Sequence, residues 1–444
     1  MPSNDGVPGA RSYRVLIIGG SYAGLSTALT LVDLSRGRIP RFSYDREIAP
    51  PAHRIPVDIT VIDERDGYYH LIGSPKSLAC EKFASDSWTR FQDIPGLKSS
   101  GINFIRGSVS SVDFAAKTAH IDETDTKAKR NESYDYLVVG SGLRRTFPTV
   151  PQSQVRADFI AEAKSHAEEI QNSCEGVVVV GGGEYSFNFL NPSLPCGSAK
   201  LIFCRIILGA VGVEMAAELK ILYPDQKITL IHSRNRLLSS EPLPDDFAER
   251  VESCLREVGV ETILGQRVVD TTAVDTENGR RVWRLALADG RELMTGLVLS
   301  AISRSIPTST YLPSDALNED GYVKIHPSLQ LSGSIPNAES HYCVGDLAAW
   351  PGIKRCGGAM HMGHYAGHNL YEHLMAQSAG SKPDVKNLNP FPNVIGLAVG
   401  KKAVSWTPDE GTKHGEELMT SLFGEDMGNS NCWNYMQLGE ACKA

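Results

Sequence analysis

The chain has no two cysteines in C-x-x-C or C-x-x-x-x-C spacing: Cys80, Cys174, Cys196, Cys204, Cys254, Cys343, Cys356, Cys432 and Cys442 are scattered and odd in number. This argues against a local redox dithiol beside a nucleotide fold and against a zinc site, both of which need closely spaced thiols; no metal is expected. An excess of basic charge is also missing. The formal net charge of −8 gives no general electrostatic hold on nucleic acid. No uncharged apolar run reaches the length of a membrane span, and the opening MPSNDGVPGARSYR lacks the apolar core of a signal peptide. Pro2 excludes N-myristoylation, and the closing ACKA is not a prenylation box. Residues 413–427 mix Glu and Lys around a modest apolar face, which is no amphipathic anchor. These absences predict a cytoplasmic protein with at most peripheral membrane association, a mitochondrial or lipid surface being the place for it.

What is present is a repeated plan. The 41% apolar content and 41 glycines suit an α/β protein with many tight turns, and 444 residues suit two or three domains. YRVLIIGGSYAG, residues 13–24, reads as a strand, a G-x-G-x-x-G-like turn with Ser21 at the second glycine site, and the start of a helix running to Ser35. Residues 36–56, rich in Arg and Pro, read as a surface excursion before a strand from Val57 that ends at Asp63. An acid at that place meets a nucleotide ribose. A serine cannot supply the positive φ that glycine allows, so Ser21 is expected to hold the backbone further from a pyrophosphate. A β-meander over about 100–135 leads into YDYLVVGSGL, a helix is expected from about Ala161 to Asn172, and a second βα unit opens at Gly176. It continues through the strand KITLIHSR, the helix DDFAERVESCLREVG, the strand VETILG, a second meander and the strand GLVLSAIS. After Gly321 come HYCVGDLAAW, the helical GAMHMGHYAGHNLYEHLMA, and a hinge at about 380–393 before the terminal segment.

The second unit is interrupted. GVVVVGGG, residues 176–183, is a strand entering a glycine turn, and AVGVEMAAELK, residues 210–220, is the helix that should follow. Joined directly they read VVVVGGGAVGVEMAAELK, which is the strand, turn and helix that bind a dinucleotide pyrophosphate. Three readings of residues 184–209 stand: a functional loop, a strand swap in which LIFCRIILG replaces VVVVGGG, and a translated intron. The third is favoured. Gly183-Glu184-Tyr185 can be encoded around a splice-donor-like GTGAGTAT, Leu208-Gly209 can be encoded with TTAG ahead of a G, and excision keeps frame and restores GGGAVG. If translated, the stretch imposes a loop-closure cost of a few kcal/mol and brings an apolar run, LIFC and IIL, with no evident place in a core. This form is therefore expected to keep its first nucleotide and bind the second poorly.

The two turns, GSG at 140–142 and Val344-Gly345-Asp346 together resemble the set found in two-dinucleotide flavoproteins of the pyridine nucleotide oxidoreductase superfamily. Within it, GVEMAAELK, ILYPDQKITLIHS and the terminal segment look most like the apoptosis-inducing-factor-like flavoproteins of the mitochondrion-associated, ferroptosis-suppressor type. The resemblance spans nearly all of the chain except 36–56 and 184–209. It implies an α/β protein with two Rossmann-like domains, three-layer ββα, plus a C-terminal α+β segment. Residues 1–150 with 321–383 would bind FAD, 151–320 would bind NADPH or NADH, and 384–444 would form an interface segment.

Carried over residue by residue, Gly19, Gly20, Ser21 and Gly24 would hold the FAD pyrophosphate, with Gly140, Gly142 and Gly345 beside them, Asp63 on the adenosine ribose and Asp346 on the ribityl chain. Gly181, Gly183 and Gly212 would cradle NAD(P)H, with Glu214 towards the nicotinamide side. The second unit's strand ends His232-Ser233-Arg234 without an acid, so Arg234 would accept a 2′-phosphate and NADPH would serve at least as well as NADH. Lys76, Met360, His361 and His364 would lie near the flavin, as does the N-terminal dipole of the helix from about Gly358. The bland alternatives, a solvated lysine and a polar helix face, stay open for Lys76 and the histidines. Ser141 and Ser303 also depart from the usual residues. The implied activity is hydride transfer from NAD(P)H to FAD and onward to a quinone-like acceptor or oxygen. A respiratory type II NADH dehydrogenase is a near relative of this reading, and a non-catalytic flavin-binding signalling or cell-death protein is the alternative.

Overall fold

A computed structural model describes residues 12–41, 50–51, 53–181, 210–239, 242–276, 280–302, 305–440 and 442. Apart from exposed Arg14, the strand β1 (Tyr13–Ile18) is apolar and buried on both faces, as suits a central parallel strand. It leads through the glycine turn into α1 (Tyr22–Ser35), whose residues are all buried. Then follow β2 (Val57–Asp63), β3 (Gly67–Tyr69), the short helices α2 (Ser74–Ser77) and α3 (Glu81–Ser87), and β4 (Trp88–Arg90), which pairs with β3. The first meander is β5 (Asn103–Asp113), β6 (Thr118–Glu123) and β7 (Lys129–Ser133), followed by β8 (Tyr136–Val139) and β9 (Leu143–Arg144). A seven-stranded sheet results once β18 (His341–Cys343) joins its edge, in the order β18-β8-β1-β2-β5-β6-β7. Its first five strands are parallel, and the meander continues it antiparallel.

The second unit comprises α4 (Arg156–Asn172), β10 (Val177–Val180), α5 (Ala210–Leu222), β11 (Ile228–His232), α6 (Asp245–Val258), β12 (Glu261–Leu264), β13 (Val268–Asp275), β14 (Arg281–Leu287), β15 (Glu292–Thr295) and β16 (Leu297–Ser300). Four of these strands form a parallel sheet, β12-β11-β10-β16, and β13-β14-β15 form the antiparallel meander. The helix α6 has two acids in its first turn and closes on Gly259 at φ +96°, a left-handed cap. The two-residue β17 (Ile306–Pro307) returns the chain to β9.

The long helix α7 (Cys356–Ala379) crosses α1 at backbone distance. A Cβ on Gly363 would stand 2.3 Å from the Ala23 carbonyl oxygen, and one on Gly367 would stand 2.8 Å from that of Thr27. The C-terminal segment adds the sheet β19 (Ile395–Val399), β20 (Lys402–Thr407) and β21 (Gly411–Gly415), with α8 (Glu416–Leu422) and α9 (Asn429–Tyr435). Ile395, Leu397, Val399 and Val404 enter the core around α5 and α6, whereas Cys432, Met436 and Leu438 enter a core with Tyr22, Leu25 and Tyr68. The segment thus joins both units. The architecture is two Rossmann-like α/β domains with a distinct C-terminal α+β segment, as the sequence implies.

Three expectations change. The helix α4 begins at Arg156 rather than Ala161, because the Asp66 carboxylate accepts the Arg156 backbone N–H at 3.2 Å and so caps the helix from another part of the chain. The excursion after α1 is tied down at Arg41, whose guanidinium reaches buried Asp33 at 2.9 Å. The strand-swap reading fails, because Val177–Val180 itself lies between β11 and β16. The stretch 184–209, and with it the loop and intron readings, lies outside the described residues, as do Gly183 and Ser303.

Replacing Gly363 with alanine should force α7 off α1 and destabilise the protein by about 2 kcal/mol or more. The checkable outcome is a lower urea midpoint at unchanged denaturant slope, whereas a midpoint equal to wild type would mean that the two helices separate freely.

Candidate functional site

The first turn is closed by glycines because its backbone segments touch. Gly19 has φ +105°, and a Cβ there would lie 2.4 Å from the Gly140 carbonyl oxygen; a Cβ on Gly24 would lie 1.8 Å from the Gly19 oxygen. The Gly19 N–H bonds to Ile62 and the Gly140 N–H to Ile18, joining the ends of β1, β2 and β8. Ser21 takes extended angles, φ −100° and ψ −157°, at the N-cap of α1. No positive φ is needed there, so the expected backbone penalty of the serine does not arise. Its hydroxyl makes no capping bond, which leaves the positive end of α1 without a side-chain cap.

Asp63 accepts the Gly20 N–H at 2.6 Å and the Arg65 N–H at 2.8 Å. Burial raises its pKa, against the lowering influence of Arg65 and of these N–H donors. Gly142, at φ +72°, has nothing within 4 Å of its Cβ position, so this wall is open. Ser141 is turned away from that opening: its hydroxyl bonds Tyr311 at 2.7 Å and the Thr308 carbonyl at 3.2 Å. On the other side Gly345 approaches Ala23, its Cβ position being 3.1 Å from the alanine methyl, and Asp346 lies 3.9 Å from Arg145. The bare helix end, the open glycine wall and the strand-end carboxylate fit a bound dinucleotide.

The histidines of α7 divide. His361 packs on Tyr365 at 4.3 Å and Phe391 at 6.2 Å, while His364 sits buried with Nδ1 3.3 Å from the Thr30 hydroxyl. Burial, aided by Lys386, lowers both pKa values, that of His364 to about 3, so both are neutral near pH 7. Met360 instead enters the cluster of Tyr22, Leu25 and Tyr68.

In the second unit Gly181 and Gly212 meet: a Cβ on Gly212 would stand 3.3 Å from the Gly181 Cα. Strand end and helix start are therefore in contact although residues 182–209 separate them in sequence. Past β11, Arg234 is exposed and bonds the Ser239 hydroxyl at 3.3 Å. Glu214 is 8% exposed and accepts the Ala398 N–H of β19 at 3.3 Å, so one carboxyl oxygen faces the C-terminal segment. Its pKa is pushed up to about 8 by burial, with Glu218 adding to the rise. Lys76 lies 3.8 Å from Glu218 and donates to the Glu425 carbonyl at 2.9 Å. The structure thus gathers Lys76, Glu214 and Glu218 at the junction of α2, α5 and the C-terminal segment, apart from the α7 histidines.

Sequence reasoning passed over His70, whose Nε2 donates to the Met427 carbonyl at 2.9 Å while its Nδ1 accepts the Tyr22 hydroxyl at 3.0 Å. No local pattern signals it. It also passed over Cys356 and Cys432, whose sulfurs lie 3.9 Å apart. Among the described residues no group of side chains has the arrangement to hold a metal, and no helix is long and apolar enough to cross a membrane.

The pyridine nucleotide-disulphide oxidoreductase family matches residues 13–189 and 206–363, and the break falls inside the interrupting stretch. The chain is 45% identical over 454 aligned residues to "Oxidoreductase OXR1" of Ajellomyces capsulatus, covering 100% of this chain and 92% of that protein. It is 25% identical to "Ferroptosis suppressor protein 1" of Xenopus laevis over 76% of this chain and 74% of that one. Among solved structures it is similar to the sulfide:quinone oxidoreductase of Aquifex aeolicus, with TM-score 0.60, 18% identity, and 98% and 93% of the two chains covered. It is also similar to the water-forming NADH oxidase of Lactobacillus brevis, with TM-score 0.60, 17% identity, and 89% and 75% covered.

Glu214 also makes a prediction. Its ordinary pKa is 4.5 and its folded value about 8, so between these the folded protein keeps a proton that the unfolded chain has released. Stability therefore falls as pH rises through that window, by up to about 5 kcal/mol, and the loss is complete above the folded pKa. Glu214→Gln keeps an acceptor for Ala398 but cannot ionise. Thermal melts should show the variant more stable than wild type above about pH 8 and close to it near pH 5, whereas parallel pH profiles would place the ionisation elsewhere.

Proposed function

The chain belongs to the pyridine nucleotide-disulphide oxidoreductase family, and from that premise we propose an FAD-dependent oxidoreductase that takes a hydride from NADPH or NADH and delivers electrons to a quinone-like acceptor or oxygen. Within the family it is read as an apoptosis-inducing-factor-like protein of the ferroptosis-suppressor type, acting in the cytoplasm or at a mitochondrial or lipid surface. The observation that carries this reading is the pair of βα junctions in which strand end and helix start approach glycine to backbone, one on Gly19, Gly24 and Gly140, the other on Gly181 and Gly212.

FAD, when bound, supplies the redox chemistry, and hydride transfer then needs positioning rather than a protein nucleophile. Residues 1–150 with 321–383 form the FAD unit in this reading, 151–320 the NAD(P) unit and 384–444 the interface between them. Gly19, Gly20, Ser21 and Gly24 present the α1 N-terminus to the pyrophosphate. Asp63 would hold a ribose hydroxyl, and Asp346 would hold the ribityl chain. Gly140, Gly142 and Gly345 keep the walls thin. Gly181, Gly183 and Gly212 would cradle the nicotinamide dinucleotide where the turn closes, and Arg234, with no acid beside it on β11, would take a 2′-phosphate. Glu214, Lys76, His361 and His364 are assigned no covalent step. Glu214 and Lys76 hold the C-terminal segment against α5, His364 ties α7 to Thr30 of α1, and His361 packs α7 on Phe391.

A second reading, a non-catalytic flavin-binding redox-signalling or cell-death protein, is favoured by one observation: residues 184–209 enter where a phosphate-binding turn should close. Full-length protein and a form lacking 184–209 would be mixed anaerobically with NADPH while the visible flavin band is followed. The expected result is a yellow protein in both cases, bleached quickly only in the shortened form. Equal bleaching makes 184–209 a tolerated loop, and a yellow protein bleached in neither form selects the second reading.

A further inference from the structure

Cys356 and Cys432 are 76 positions apart in sequence, and their sulfurs are 3.9 Å apart. Forming a disulfide requires an approach of about 2 Å, within the reach of side-chain rotation from such a start. Cys356 is the first residue of the long helix α7 and half-buried; Cys432, on α9, is 5% exposed. Their surroundings are apolar and aromatic, with Tyr22, Tyr68 and Met360 in the same cluster.

The two thiols differ in character. The hydrogen bond with Cys432, and the Gly357 N–H at the helix start, pull the Cys356 pKa down against its burial. The same contact and burial push Cys432 up. A partly accessible thiol of lowered pKa at a helix N-terminus with a buried thiol beside it is the arrangement of an attacking and a resolving cysteine.

Cys432 belongs to a strap that passes over the first domain. Residues 423–438 cross the first domain, where Lys76 donates to the Glu425 carbonyl, His70 to that of Met427, and the Gly96 N–H to that of Leu438, at 2.9, 2.9 and 2.7 Å. These bonds are individually modest. A disulfide at Cys432 would hold the strap covalently.

We propose that Cys356 and Cys432 form a peroxide-reactive thiol pair whose oxidation to a disulfide locks the C-terminal strap onto the start of α7. Cys356 attacks one peroxide oxygen; the O–O bond breaks, one water leaves, and Cys356 becomes a sulfenic acid. Cys432 then attacks that sulfur, its proton and the sulfenic hydroxyl leaving as a second water. Two thiols are oxidised by two electrons and one peroxide is reduced to two waters. The inference stands on the sulfur geometry and the strap, and does not depend on the cofactor reading.

The test treats the full chain with hydrogen peroxide in the presence of dimedone, which traps sulfenic acid, and maps peptides without reduction. Wild type should yield a cross-linked peptide containing Cys356 and Cys432. Cys432→Ser should accumulate dimedone on Cys356, and Cys356→Ser should leave Cys432 unmodified. Half-buried Cys80 serves as the internal control. The proposal is overturned if, at a dose that oxidises Cys80, wild type keeps both thiols reduced or carries dimedone on Cys432. It is equally overturned if Cys356 takes dimedone as fully in wild type as in Cys432→Ser, since Cys432 then resolves nothing.

Discussion

The close approach of α7 to α1 at Ala23 is the contact on which the first domain depends. The Ala23 carbonyl occupies the space of a Gly363 side chain, and the Ala23 methyl presses on Gly345. Gly24, next along the helix, sits on Gly19, which sits on Gly140. One alanine thus links the turn after β1, the turn after β18 and the middle of the last long helix. Each partner is a glycine because the spacing is set by backbone atoms, and a close-packed interior does not yield by a methyl group without moving its neighbours. The same thinness lets helix ends and strand ends face one another across a space lined by backbone, which is the requirement for binding an extended phosphate-containing ligand.

The second domain is held by different means. Glu214 and Glu218 are one helical turn apart on α5 and both buried, an arrangement that raises both pKa values through desolvation first. What compensates them comes from elsewhere in the chain: Ala398 from β19, and Lys76 from α2 with Glu425 as its other partner. The C-terminal segment is therefore part of the electrostatic environment of α5 as well as a cover for it. A change in the ionisation of these acids alters how firmly the two domains and the segment are joined, because a buried charge without its partner is strongly destabilising.

Glycine and periodicity carried most of what could be read in the sequence. The turn at Gly19–Gly24, both meanders and the parallel strands follow from local composition, since each depends on backbone freedom or alternation within a few residues. The start of α4 was misplaced because its cap, Asp66, lies ninety positions earlier in the chain. The absence of C-x-x-C removed only a local dithiol from consideration, and the contact between Cys356 and Cys432 arises where α9 folds back onto α7. Lys76 was legible as a positive charge and illegible as a partner of Glu218, because that pairing requires the two domains to be docked. Ser21 shows the converse: a departure from the glycine pattern that looked restrictive is an ordinary extended residue.

The interrupted turn separates two properties that usually coincide. Gly212 packs on Gly181, Ala301 and Leu230, contacts that place α5 against β10 without help from a short connection. Loop closure grows only as the logarithm of length, so extending a turn of a few residues to about thirty adds roughly 2 kcal/mol. The burial of Val213, Ala216, Ala217 and Leu219 in the surrounding core exceeds that amount severalfold. The domain can therefore assemble around the break. A phosphate-binding turn has no such reserve, because it works through the backbone N–H groups of the turn itself. Fold and nucleotide affinity thus depend on different atoms of one motif, and in the proposed reading an insertion that the first tolerates costs the second.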